Sequence, residues 1–153
     1  RQSSPSGQKH REVERKLDQD WGSEFARINE TFMGVRNRYA YAARIAGDNL
    51  ESGFDGIIKY DLVKETNSHY PYGPSRLGGE PIFAPKPNGK HEEDGWVIGF
   101  VWDEQLKRSE CIILDAANFE QGPVARVVMP ARVPFGFHSA WVDQETWGAS
   151  LSR

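Results

Sequence analysis

The chain reads as an all-β protein made of short antiparallel strands that recur in a four-strand unit. Three observations carry this. Its 15 glycines, nine prolines and 12% aromatic residues fit a turn-rich sheet protein better than a helical one. Short β-branched and aromatic runs, bounded by Gly, Asp, Asn and Pro, follow one another without helical periodicity between them. Finally, parts of these runs repeat after a little more than fifty residues.

Taken in order, Glu24 opens a first strand in Glu24-Phe25-Ala26-Arg27-Ile28-Asn29. Arg38 to Ala43 forms the next and ends in a Gly/Asp/Asn-rich loop. Gly56 to Asp61 follows, then the polar run Thr66 to Tyr72, then Pro81-Ile82-Phe83. Gly95 to Trp102, Ser109 to Asp115 and Val124 to Met129 complete the series, with Asp103 to Arg108 as a hairpin loop. His10 to Asp18 is the one plausible helix, with weak periodicity; residues 1–22 otherwise read as a polar connector.

The repeat aligns Tyr39-Ala40-Tyr41 with Val97 to Trp102. It also aligns Ile57-Ile58 and Asp61 with Ile112-Ile113 and Asp115, the aspartates lying 54 residues apart. Four short strands at such a period match one blade of a β-propeller, and about two blades fit in this chain. A small two-sheet sandwich is the competing arrangement.

Composition excludes several classes. Nineteen basic against 22 acidic residues, net charge −3, give no electrostatic ground for binding nucleic acid, and no basic cluster marks anionic lipid. No apolar run approaches the ~18 residues of a membrane span. Nothing resembles a signal peptide. Asn29-Glu30-Thr31 fits a glycosylation triplet only by chance. The single cysteine, Cys111, precludes an internal disulfide and reads as a buried small hydrophobe. The expected setting is reducing, cytoplasmic or peripheral to a membrane. The first residue is Arg1, and the chain reads as starting inside a longer protein.

Three polar positions keep the period. Glu24, Glu80 and His138 are separated by 56 and 58 residues. In a propeller the first strand of each blade lines the axis, so the three would meet there. Imidazole binds iron, copper or zinc, and a carboxylate on the other ring nitrogen fixes its tautomer and angle. In the structural alternative each glutamate pairs with an arginine, Arg27 or Arg76 being candidates. His10, His69 and His91 lie in polar stretches off the period and read as surface residues. Glu92-Glu93-Asp94 reads as a solvated hairpin entry rather than a metal cluster. Trp96, Trp102, Tyr39 and Tyr41 read as packing between sheets.

Five motifs in order, Glu24 to Asn29, Arg38 to Tyr41, Gly79-Glu80-Pro81-Ile82-Phe83, Glu92 to Trp96 and Val133-Pro134-Phe135-Gly136-Phe137-His138, resemble the C-terminal portion of the carotenoid cleavage oxygenases. That family includes apocarotenoid and stilbene dioxygenases and the retinoid isomerohydrolase. The likeness runs from about Ser23 to Trp141, with Ser139 where glycine is common. It implies a seven-bladed propeller holding non-haem Fe(2+) on its axis through four histidines, with residues 23–153 forming its C-terminal part, about two blades plus the start of a closing strand. It implies that His138 is the last iron ligand, that Glu24 and Glu80 hydrogen-bond ligating histidines, and that Phe137 lines the substrate cavity. The implied reaction is addition of O2 across a conjugated C=C bond of an apolar carotenoid, apocarotenoid or stilbene-type substrate, by an enzyme docking peripherally on membrane. The other three histidines would come from upstream of Arg1, so this segment alone is expected to be inactive and to expose apolar surface. A metal-free propeller-like binding module and an isomerohydrolase are the alternatives.

Overall fold

The computed structural model describes residues 21–47, 49–144 and 147–148. Nine strands appear in order: β1 (Ser23–Arg27), β2 (Tyr39–Ile45), β3 (Phe54–Asp61), β4 (Thr66–Pro71), β5 (Arg76–Gly78), β6 (Ile82–Pro85), β7 (Gly95–Asp103), β8 (Arg108–Asp115) and β9 (Pro123–Val128). Every pairing is antiparallel. Strands β1–β4 form one meander and β6–β9 a second. The three-residue β5 pairs with both, through Phe54 opposite Gly78 and Arg76–Gly78 opposite Asp103–Val101, so one sheet runs through all nine. A run as short as Arg76-Leu77-Gly78, followed by a second glycine, carries no readable strand signal.

Aspartate side chains shape the turns, which is the physical content of the repeated aspartate. Asp61 Oδ1 accepts from the Val63 and Lys64 amides where β3 leaves for β4. Asp115 Oδ1 accepts from Ala117 and Asn118 where β8 ends. Asp103 does the same for Gln105 and Leu106 in the β7–β8 hairpin. Each is a short carboxylate reaching its own backbone two and three residues on.

The main core lies between the two meanders rather than within either. Tyr41 and Ile57 of the first pack with Phe83, Val97, Val101, Ile112, Leu114 and Phe119 of the second, each such apolar side chain contributing about 1.5–3 kcal/mol on burial. A smaller cluster, Ala40, Ala42, Ile58 and Tyr60, covers the other face of β2–β3 with Trp21, Ile28 and Leu62. Trp21 and Gly22, at the end of the expected connector, already belong to this unit: the Gly22 carbonyl accepts from Ile45 N. The helix expected over His10 to Asp18 lies outside the described residues.

Several expectations are corrected. Glu92 and Glu93 tie the two units together instead of facing solvent. Glu92 accepts from the Arg38 and Tyr39 amides at 2.7–3.0 Å, and Glu93 pairs with Lys59, whose Nζ also donates to Ala116 O. Burial of this region pushes the Tyr39 phenol up to about 12, with Glu93 adding to the effect. His69 is not a surface residue. Its ring stacks edge-on against Trp21 at 4.6 Å, and its buried Nε2 has no hydrogen-bond partner among the described residues. Trp96 and Trp102 project from the face of β7 opposite Val97 and Val101. They are half-buried there under Lys86 and Arg132. Cys111 shares that outer face, opposite Phe100 and Val127, and is half-buried rather than buried.

Candidate metal-ligand site

A one-residue surplus recurs at matching places, in β1 and in the connection between β5 and β6. Glu24 opposes Ala43 and Arg27 opposes Tyr41, so β1 takes three steps while β2 takes two. Gly78 opposes Val101 and Ile82 opposes Ile98, four steps against three, with Glu80 in the surplus. Such bulges bend a strand and re-aim side chains. In β1 the extra residue puts Phe25 at φ 56°, a left-handed conformation costly for a bulky side chain. The Phe25 ring makes a T-shaped contact with the His138 imidazole, 5.6 Å between centroids, while packing on Phe54 at 5.4 Å.

The tail after β9 delivers His138. Met129 N donates to Ser109 O and Val133 N to Ser109 Oγ, pinning the tail to β8. It then crosses to the β5–β6 connection, where Ser139 N donates to Glu80 Oε2. His138 Nδ1 lies 3.4 Å from Glu80 Oε1, a long hydrogen bond. With Nδ1–H donating to a carboxylate, Nε2 carries the free lone pair. The Glu80 side chain is 3% exposed and that of His138 75%. Arg27 completes the arrangement: Nε reaches Glu80 Oε1 at 2.9 Å, and Nη2 reaches Oε2 at 3.3 Å.

The two repeated glutamates therefore differ in surroundings. Glu80 is buried and meets His138. Glu24 is exposed and has no hydrogen-bonded partner among the described residues. Arg27 serves Glu80, 53 residues away, rather than Glu24 beside it. The other candidate arginine, Arg76, is engaged with Asp103 and Glu110.

An apolar groove of about 370 Å³ adjoins the site, with Phe25, Leu50, Phe54, Leu77, Phe135 and Phe137 among its walls. Phe137 is 80% exposed. Of these residues only Phe137 stood out in the sequence. Phe25 directly follows Glu24, but strict strand alternation would send it to the opposite face, and no glycine marks the bulge. Among the described residues no group of three or more His, Cys, Asp or Glu could hold a metal. His138 with Glu80 behind it fits one position of a metal's coordination sphere, not a whole centre. No described helix is long and apolar enough to cross a membrane.

Fold and site together define a mostly β, antiparallel protein presenting one carboxylate-backed imidazole at the edge of an apolar groove. The Retinal pigment epithelial membrane protein family model matches residues 3–143, and the chain belongs to that family, which takes in the carotenoid cleavage oxygenases. Similar curated proteins include the chloroplastic 9-cis-epoxycarotenoid dioxygenase NCED6 of Arabidopsis thaliana, 40% identical over 121 residues, 79% of this chain and 20% of the relative. The carotenoid 9,10(9',10')-cleavage dioxygenase of Crocus sativus is 36% identical over 137 residues, 80% of this chain and 24% of the relative. The carotenoid cleavage oxygenase of Mycobacterium tuberculosis (strain ATCC 25618 / H37Rv) is 35% identical over 126 residues, 80% of this chain and 25% of the relative. Among solved structures, cobalt-substituted Synechocystis ACO superposes with a TM-score of 0.72 at 30% identity, covering 80% of this chain and 26% of the other. The chain thus spans a fifth to a quarter of the relatives it matches.

Proposed function

We propose that this chain is the C-terminal part of a non-haem Fe(2+) dioxygenase, a seven-bladed propeller that cleaves a conjugated C=C bond of a carotenoid, apocarotenoid or stilbene-type substrate with O2. The observation that carries the reading is the His138 Nδ1 contact with the buried Glu80 carboxylate, placed beside a groove walled by phenylalanines. The relatives' names supply the reaction class, and a cobalt-substituted relative supports a metal centre.

His138 would supply one ligand through Nε2, with three further histidines contributed from outside this chain. Glu24, at the matching bulge of the first unit, is free to meet one of those. When bound, Fe(2+) would supply the site at which O2 is activated. The chain's own contributions are narrower. Glu80 accepts a hydrogen bond from His138 Nδ1–H and holds the ring, which makes Nε2 a better donor. Phe25 buttresses the imidazole through a T-shaped ring contact. The apolar walls exclude water and align a hydrocarbon so that one double bond lies nearest the metal.

The test is a His138→Ala variant of the complete protein. Iron content should fall to background and cleavage should cease. Retained iron with unchanged ligand affinity would instead support a metal-free binding module. Labelled oxygen from ¹⁸O2 should enter a carbonyl product; its absence from product would favour isomerohydrolysis. The 153-residue chain alone should show no turnover.

A further inference from the structure

Glu80 is buried, and a buried carboxylate is costly unless charge and hydrogen bonds compensate it. Its two oxygens take three residues from two other segments of the chain. Oε1 takes Arg27 Nε at 2.9 Å and His138 Nδ1 at 3.4 Å; Oε2 takes Arg27 Nη2 at 3.3 Å and the Ser139 amide. The same Arg27 Nη2 also donates to the Ser139 carbonyl. Arg27 belongs to β1, at the end of its bulge, Glu80 to the β5–β6 junction and Ser139 to the tail. One guanidinium therefore grips both the carboxylate that faces His138 and the peptide that follows it. Its other contact, Glu30 at 3.5 Å, is exposed and contributes little. Only a planar fork reaches all these acceptors at once.

We propose that Arg27 is a positioning residue: by holding Glu80 and the Ser139 carbonyl together, it fixes the His138 imidazole as the Nδ1–H tautomer and leaves Nε2 as the donor. This rests on the reading of His138 as a metal ligand. Removing Arg27 frees Glu80 to rotate and unpins the tail, and the ring then loses its fixed tautomer without any change to His138 itself.

The test is a long-range ¹H–¹⁵N correlation of the histidine rings in the ¹⁵N-labelled 153-residue chain, at a pH where imidazole is neutral. A His138→Gln variant identifies the His138 signals among the four histidines. The wild type should show the Nδ1–H pattern, and Arg27→Gln should lose it, the Nε2–H pattern of a free imidazole taking over. Glu80→Gln should do the same, and the double variant should go no further, because Arg27 acts through Glu80. Arg27→Lys keeps the charge without the fork and should also lose the pattern; it serves as the second variant if Arg27→Gln fails to fold. A wild-type pattern retained in either folded Arg27 variant but lost in Glu80→Gln overturns the role of Arg27 alone. An Nε2–H wild type indifferent to Glu80→Gln overturns the underlying Glu80–His138 reading. Unfolding of both Arg27 variants makes Arg27 a fold residue and overturns the positioning role.

Discussion

Replacing Phe119 by alanine tests whether the two meanders stand or fall together. Phe119 follows β8 in the second unit and is 1% exposed. Its ring lies 6.2 Å from that of Tyr41 on β2 of the first, and Tyr41 in turn lies 5.6 Å from Phe83. Burying an aromatic ring fully and then deleting it loses both its transfer free energy and the contacts around the hole, about 3–5 kcal/mol. The upper part of that range applies, because the walls belong to two meanders whose hydrogen bonds limit collapse. For a domain of this size each kcal/mol lowers Tm by about 2–4 °C, so the variant should melt about 8–20 °C below wild type. Unfolding followed by far-UV circular dichroism and by tryptophan fluorescence should give coincident curves, since Trp21 reports on the first unit and Trp96 and Trp102 on the second. A loss under about 1 kcal/mol, or two separate transitions, would refute a shared core between the units.

The remaining predictions concern single residues. In Gly56→Ala the new methyl would lie 2.4 Å from His69 Nε2 and 2.6 Å from the Tyr70 carbonyl, which the β3–β4 ladder holds in place. Urea denaturation should show a loss of about 1–3 kcal/mol, and an unchanged midpoint would contradict the close approach of β4. Glu80→Ala leaves Arg27, 27% exposed, and the Ser139 amide without their acceptor. The cost should be about 2–4 kcal/mol, less than for a fully buried pair because Arg27 keeps some solvent, with Arg27→Ala/Glu80→Ala recovering part of it in a double-mutant cycle. The hydrogen bond from Arg76, working against burial, holds the Glu110 carboxyl below its ordinary 4.5. A carboxyl depressed in the folded state stabilises fully above 4.5, and that stabilisation is lost as pH falls below it. Urea midpoints should therefore fall between pH 5 and pH 3, and Arg76→Gln should flatten that slope. Phe137→Ala, at an exposed position, should change stability by under about 0.5 kcal/mol yet weaken binding of a conjugated apolar ligand by several-fold in fluorescence titration.

Much of this architecture was legible in the amino-acid order because it rests on local chemistry. Short runs of β-branched and aromatic residues wrote β7 and β8, and the aspartates after Tyr60, Trp102 and Leu114 wrote the turns. What escaped was the short β5, whose three residues gain their partners only from β3 and β7. Also unreadable were the roles of Glu92 and Glu93. Acidic residues beside a glycine look solvated until another segment brings backbone amides and Lys59 to them.

For the site, the division follows from what spacing can and cannot encode. Glu24, Glu80 and His138 share a period, and a period specifies equivalent places in successive repeats. It says nothing about which side chains then meet. The packing of the two meanders on a common core brings Arg27 across to Glu80 and leaves Glu24 exposed. An unheralded bulge turns Phe25 toward the imidazole. Strand identity is a property of neighbouring residues, whereas a contact between residues fifty or more positions apart exists only once the chain has closed on itself.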